Sequence, residues 1–232
     1  MSTKANKTTE RFIKSIINHQ HDLTEWYLDS GAITDLAIKC SLSANRPAVF
    51  LDAAQVACCY NNSFALRLII KCNYPLNLNY EEGGSLLLMS CWQQSADCVL
   101  LLLDAGHDPN HVTTSTESPL IAAVQQREPD LRIVDALINA GADLSVRGWR
   151  GESLAHMCAS YNRTSSCLEL LHSRGASLQE TARDGKTPLD WADAFAISTE
   201  THKYLHRMHY RPYLDSDHVR APATPTEVVP EI

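Results

Sequence analysis

Long apolar runs are absent from this 232-residue chain: the longest, Val99 to Leu103, falls far short of the roughly 18 residues a membrane-spanning helix requires. No membrane span is therefore expected. A basic surplus is absent too. Lys and Arg total 20 against 27 Asp and Glu, a net charge of -7, whereas a nucleic-acid binder needs clustered cations to release counterions. The acidic balance is modest and favours solubility without naming a partner. Residues Met1 to Glu10 hold Lys4 and Lys7 but no seven-residue apolar core, so they do not read as a secretory signal. With Arg11 and Lys14 they make a basic patch too thin for nuclear import or lipid binding.

The marks of several chemistries are missing as well. The eight cysteines, Cys40, Cys58, Cys59, Cys72, Cys91, Cys98, Cys158 and Cys167, form no CxxC pair and no Cys/His spacing suited to zinc. They read as reduced thiols of an intracellular protein: cytoplasmic first, with the nucleus or a host cell's cytoplasm as the other settings. His19, His21, His202, His206 and His209 divide between a loop and a terminal helix, and no carboxylate spacing joins them, so no metal is expected. There is no Gly-x-Ser-x-Gly elbow, phosphate loop, dinucleotide fingerprint or His-Glu-x-x-His helix. Neither catalytic residues nor a cofactor are expected.

What the chain does have is a signature that recurs about every 34 residues. A Gly or Asn closes an apolar run at Asn73, Gly106, Gly141 and Gly175, and a small polar residue opens the next run twelve positions later, at Ser85, Ser118, Ser153 and Thr187. Ser118-Pro119-Leu120-Ile121-Ala122-Ala123 predicts one short helix, and Leu131 to Ile138 a second with apolar residues at helical spacing. The opening hydroxyl caps the first helix, and Pro at its first position lacks an amide that would have no partner anyway. The closing Gly supplies a left-handed C-terminal conformation; Asn73 is among the non-glycine residues that best tolerate it. Three cysteines, Cys58, Cys91 and Cys158, fall where the repeat wants a small buried side chain.

These segments resemble the ankyrin repeat family. The resemblance is carried by Asp184-Gly185-Lys186-Thr187-Pro188-Leu189, Ser118-Pro119-Leu120, His156, and the pair Gly106-His107-Asp108 and Gly141-Ala142-Asp143. Counting back, Asp52 opens one more unit with Leu66 to Ile70 as its second helix, and Glu10 to Ile17 with Leu23 to Leu28 form a degenerate pair ending at Gly31. An insertion of nine residues separates Gly31 from Asp52. The resemblance implies an all-α ankyrin-repeat solenoid of about six stacked helix pairs with hairpin-like loops and degenerate terminal caps. Its units run approximately 8–44, 45–78, 79–111, 112–146, 147–180 and 181–210, between a disordered 1–7 and a disordered, Pro-rich 211–232. The family's usual His after Pro-Leu survives only as His156, with Gln55, Leu88, Ile121 and Asp190 in its place elsewhere. The histidine's hydrogen bond between neighbouring units is therefore expected to be lost at most junctions, leaving modest stability, particularly toward the N-terminus. Two extra residues between Gln125 and Asp130, including Glu128-Pro129, lengthen one turn and read as drift. Asp108-Pro109-Asn110 resembles ankyrin segments modified by asparaginyl hydroxylases, although Asn110 reads more simply as a hairpin stabiliser.

The resemblance also implies a concave face made of hairpin tips and first-helix ends. On this sequence the tips are Glu81 and Glu82, Thr114 and Ser115, Trp149 and Arg150, and Arg183 and Asp184. The helix ends, seven and eight positions after each opening residue, are Cys59 and Tyr60, Trp92 and Gln93, Gln125 and Gln126, and Ser160 and Tyr161. Aromatics and Arg, which interface hot spots favour, occupy these slots at Tyr60, Trp92, Trp149, Arg150 and Tyr161. Glu81 and Glu82 lie toward one end and Arg147, Arg150 and Arg183 toward the other, so a partner of opposite grading would dock one way round. The function expected is a non-catalytic interaction module, a scaffold, adaptor or inhibitor that holds a protein or peptide and is a monomer on its own. The alternatives are a substrate receptor of a ubiquitin ligase, for which Ile197 to Leu214 is unlike a recruiting box, and a secreted pathogen effector. The tail from Tyr210, with Pro212, Pro222, Pro225 and Pro230, is expected to be extended, with Thr224-Pro225 as a candidate phosphorylation site.

Overall fold

The fold is that of a computed structural model, which describes residues 3–30, 40–41, 50–72, 85–112 and 117–214. Twelve helices lie within them: α1 (Thr3–Ile17), α2 (His21–Asp29), α3 (Ala53–Cys59), α4 (Ser63–Lys71), α5 (Leu86–Trp92), α6 (Ala96–Asp104), α7 (Pro119–Val124), α8 (Leu131–Asn139), α9 (Leu154–Tyr161), α10 (Ser166–Ser173), α11 (Pro188–Phe195) and α12 (Thr199–Leu214). Between α2 and α3, β1 (Cys40–Ser41) pairs antiparallel with β2 (Phe50–Leu51), Cys40 opposite Leu51. This two-stranded ladder lies in the region assigned to the inserted residues. The rest of the described chain is the expected all-α stack of six helix pairs.

The sequence marks stand where the local chemistry requires them. Asp52, Ser85, Ser118 and Thr187 each accept the amide of the residue three positions on, at 2.8, 3.1, 3.3 and 3.3 Å, which satisfies an amide the helix cannot. Pro119 and Pro188 begin α7 and α11. Gly106, Gly141 and Gly175 have φ of 86°, 90° and 97°, the left-handed closing conformation. Asn73 and Gly31 lie outside the described residues.

The first helices stack in one row, α1, α3, α5, α7, α9 and α11, and α2, α4, α6, α8 and α10 stack in a second; α12 packs on α11 and also reaches α9. Each helix turns one apolar face inward, so a single core runs along the stack, from Phe12 and Ile16 through Leu66, Leu87, Leu102, Leu120 and Leu137 to Leu168 and Trp191. Cys58, Cys91, Cys158 and Cys167 fill it as small buried residues, and these four are free thiols, as are Cys59, Cys72 and Cys98. Burial raises Cys158 and Cys91 well above the usual thiol range, and Cys59 to about 11. These groups stay protonated and inert.

The expected ends of the stack are revised. Residues 3–7, expected to be disordered, form the first turns of α1, and α12 runs past the expected boundary at 210 to Leu214. Extending an existing helix adds a hydrogen bond for each residue fixed. Hydrogen bonds that do not depend on the family histidine cross the junctions from the turns between paired helices. Asn62 Nδ2 donates to the Ile16 carbonyl (2.8 Å), Ser95 Oγ to that of Cys58 (2.5 Å), and Asn162 Nδ2 to those of Val124 (2.8 Å) and Gln126 (2.7 Å). Gln55 and Asp190, in the histidine's place, close capping boxes inside their own units. The lengthened turn is tied to the next one: the Arg163 amide donates to the Arg127 carbonyl at 3.0 Å and its guanidinium pairs with Glu128 at 2.9 Å.

Candidate functional site

Because the first helices stack, residues seven or eight positions after each N-cap form a row along one side of the molecule. Tyr60, Trp92 and Tyr161 lie in that row with 39%, 40% and 46% of their surface exposed. Gln93 is exposed beside Trp92, while Gln125, Gln126 and Ser160 are half-buried. The last two are partly occupied: Gln126 Nε2 donates to the Ala122 carbonyl at 2.9 Å and Ser160 Oγ to that of His156 at 2.8 Å. Glu81, Glu82, Thr114 and Ser115 lie outside the described residues, so the acidic end of the expected grading is not described either.

The tip at residues 147–152 is built in detail. Gly151 N donates to the Gly148 carbonyl and Gly148 N to that of Glu152, both at 2.9 Å. The buried Glu152 carboxylate accepts the Arg150 amide at 2.7 Å. A Cβ on Gly148 would lie 2.6 Å from Glu152 Cδ, and one on Gly151, at φ 76°, 2.9 Å from Arg183 Cγ. Only glycine fits either position. Between them Trp149 stands 65% exposed, with the Arg150 guanidinium 4.5 Å from its ring centroid in cation–π contact.

The next tip is bonded to this one through the Arg183 amide, which donates to the Arg150 carbonyl at 3.1 Å. Arg147 does not join the free basic end as expected, because it pairs with Glu180 at 3.0 Å and donates to the Gly151 carbonyl at 3.2 Å. Behind the two tips His156 joins the fifth and sixth pairs. Its Nδ1 accepts from Ser153 Oγ (2.8 Å) and its Nε2 donates to the Lys186 carbonyl (3.0 Å). Burial lowers its pKa, outweighing the opposing pull of that carbonyl. The neutral Nε2–H tautomer satisfies both contacts. The Trp191 ring meets it edge-on, with centroids 5.0 Å apart.

Together these parts enclose a cavity of about 430 Å³. Trp149, Arg150, Arg183 and Asp184 line it from the tips, as sequence reasoning placed them; Lys186, Trp191, Ala194 and Phe195 complete it and were missed. Ala194 and Phe195 had a signal, since they stand seven and eight positions after Thr187, the register that gave Ser160 and Tyr161. Trp191 had none, because a tryptophan inside a helix reads as core. Among the described residues no group of His, Cys, Asp and Glu could hold a metal ion, and no helix is long and apolar enough to cross a membrane. Asn110 is engaged in holding a hairpin: its Nδ2 donates to the Gly141 carbonyl at 2.9 Å and its Oδ1 accepts the Asp143 amide at 2.8 Å.

A stack of helix pairs with projecting, mutually bonded tips is a repeat solenoid, whose exposed tips and helix ends form an extended surface. Residues 54–148, spanning α3 to α8, match the ankyrin repeat family as three copies. The chain is also 27% identical over 137 residues, 59% of its length, to an ankyrin repeat protein of Acanthamoeba polyphaga mimivirus, of which it spans only 18%. The matched part of the chain, residues 54–148, is similar to ankyrin repeats. Such repeats generally serve as protein–protein interaction modules and are typically non-catalytic.

Proposed function

We propose that this chain is a non-catalytic interaction module, a scaffold, adaptor or inhibitor that holds another protein or peptide along its tips and first-helix ends. The observation that carries the reading is Trp149. A tryptophan left 65% exposed on a hairpin that two glycines and a buried carboxylate fix in place is an aromatic anchor presented at little entropic cost, the property that hot spots share. Trp92, Tyr161 and Tyr60 extend the aromatic surface along the same row. The free thiols fit an intracellular setting, and no part of the reading requires nucleic acid, a membrane or a cofactor.

The test separates folding from binding. Trp92→Ala and Trp149→Ala are combined, native folding is checked by thermal unfolding, and the proteins captured from the native host are compared with those captured by the wild type. Loss of the specific captured set by a folded double variant is the expected result. An unchanged set would sink the concave-face reading.

A further inference from the structure

Most arginines near the C-terminal units are paired within the fold. Arg132 pairs with Asp130, Arg147 with Glu180, Arg163 with Glu128 and Arg174 with Asp135. Three other cations differ: among the described residues no carboxylate makes a salt bridge to Arg150, Arg183 or Lys186. All three converge on the cavity between the last two tips, whose apolar walls are Trp149, Trp191 and Phe195.

We propose that this cavity is a specificity pocket for an acidic–aromatic segment of a partner protein, a short peptide in which a bulky apolar side chain stands next to Asp or Glu. The inference rests on the interaction-module reading and gives it a ligand chemistry. The cavity volume, about 430 Å³, falls in the roughly 300–1,000 Å³ range of ligand sites. Its aromatic walls favour a ring or a large aliphatic group, and three unpaired cations favour a carboxylate beside it. The Asp184 carboxylate is turned to its own backbone, accepting the Lys186 amide at 3.1 Å, so it caps the tip; the Lys186 ammonium lies in the field of the Asp190 carboxylate without a salt bridge to it. Charge also limits the partner. The whole chain carries -7, so a long polyanion would gain at the pocket and lose over the rest of the surface, whereas one or two carboxylates meet only the local positive field. Because the Arg150 guanidinium lies over the Trp149 ring, a ligand ring stacking on Trp149 places a neighbouring carboxylate within reach of that guanidinium.

The test uses the full chain with indole N–H resonances as site-specific reporters for its four tryptophans. Three capped peptides serve as probes, GSDFEGS, its neutral counterpart GSNFQGS and its basic counterpart GSKFKGS, alongside 3-phenylpropionate. The expected result is that GSDFEGS shifts Trp149 and Trp191 but not Trp26, and binds at least about tenfold more tightly than the neutral peptide in low salt, with the preference shrinking above about 0.5 M salt. Arg150→Gln, Arg183→Gln and Lys186→Gln, which keep their packed stems, should each lower affinity for GSDFEGS several-fold while leaving thermal unfolding unchanged. Equal affinity for the acidic and neutral peptides, or preference for the basic one, overturns the chemistry while leaving a peptide site at Trp149. Binding of 3-phenylpropionate as tightly as GSDFEGS assigns the pocket to small acids and overturns the peptide occupant. Binding that emerges only after removal of residues 215–232 assigns it to the chain's own tail and overturns the partner segment in the same way. No shift at Trp149 with any probe overturns the proposal outright.

Discussion

At the junction between the second and third helix pairs, Ser95 Oγ donates to the Cys58 carbonyl and Cys98 Sγ to that of Ala57, at 2.5 and 3.6 Å. These are short side chains reaching buried backbone, with Cys58, Cys91 and Cys98 packed around them. At the junction between the fifth and sixth pairs, Arg183 bonds to Arg150, Arg147 pairs with Glu180, His156 reaches Lys186, and His172 Nδ1 lies 2.8 Å from the Tyr204 hydroxyl. Among the described residues the first junction is held by these interior bonds, with Tyr60 and Trp92 exposed beside it. The second is held at its tips, and tips rigidly bonded to each other can present Trp149, Arg150 and Lys186 in fixed positions. Where a repeat stack places its polar bonds decides whether a junction only supports the stack or also offers a preorganised site.

The contrast can be broken at the core first. Leu102→Ala empties a fully buried position in α6 and should cost about 2–5 kcal/mol, measured by urea unfolding. Units stacked only on their neighbours should then separate: Trp26 and Trp92 are expected to report unfolding before Trp191 does, and coincident transitions would show that the two regions are not distinct.

The turn bonds come next in size. Asn162→Ala removes two donations to buried carbonyls and should cost about 2 kcal/mol, against about 1 kcal/mol for Ser95→Ala, which removes one. Equal costs would mean that bond count at the turns does not set junction strength.

A pH effect should follow from His156. Burial lowers its folded pKa below the ordinary value of 6.5, so the unfolded chain binds the proton first as pH falls. The stability this residue lends is complete above about pH 6.5 and declines as pH drops toward the lower folded pKa. Trp191, in edge contact with the imidazole, should report the loss in fluorescence-monitored unfolding. His107 is lowered in the same direction by burial, so the His156→Gln variant is the control: its acid sensitivity should be reduced but not abolished.

The smallest effect concerns the turn between α11 and α12, where Ala196 is left-handed at φ 48°. Ala196→Gly should stabilise the terminal pair by about 1 kcal/mol, read as slower hydrogen exchange in α12. No change there would place the strain elsewhere.

Much of the fold was legible because its marks are local. A hydroxyl three residues before a helical amide, a proline at the first position and a glycine past the last carbonyl act within one turn of chain, so Ser118, Pro119 and Gly141 announced themselves. The tip and helix-end slots follow from the same local marks, and Trp149 at a tip and Trp92 and Tyr161 at helix ends are exposed. The junction bonds were not legible from one missing histidine, because Asn62 and Asn162 find carbonyls 46 and 38 residues away, and nothing in their own turns marks that reach.

By itself the sequence determined the period, the caps and the alternation of helices, since each depends on the conformational preferences of a few consecutive residues. Only the tertiary structure decided which cations are neutralised and which are free. Arg147 and Arg150 are three positions apart in one tip, yet one meets Glu180, beyond α10, and the other a tryptophan face. Coulombic and stacking contacts fall off over a few ångströms, and only the packing of one unit on the next sets those distances.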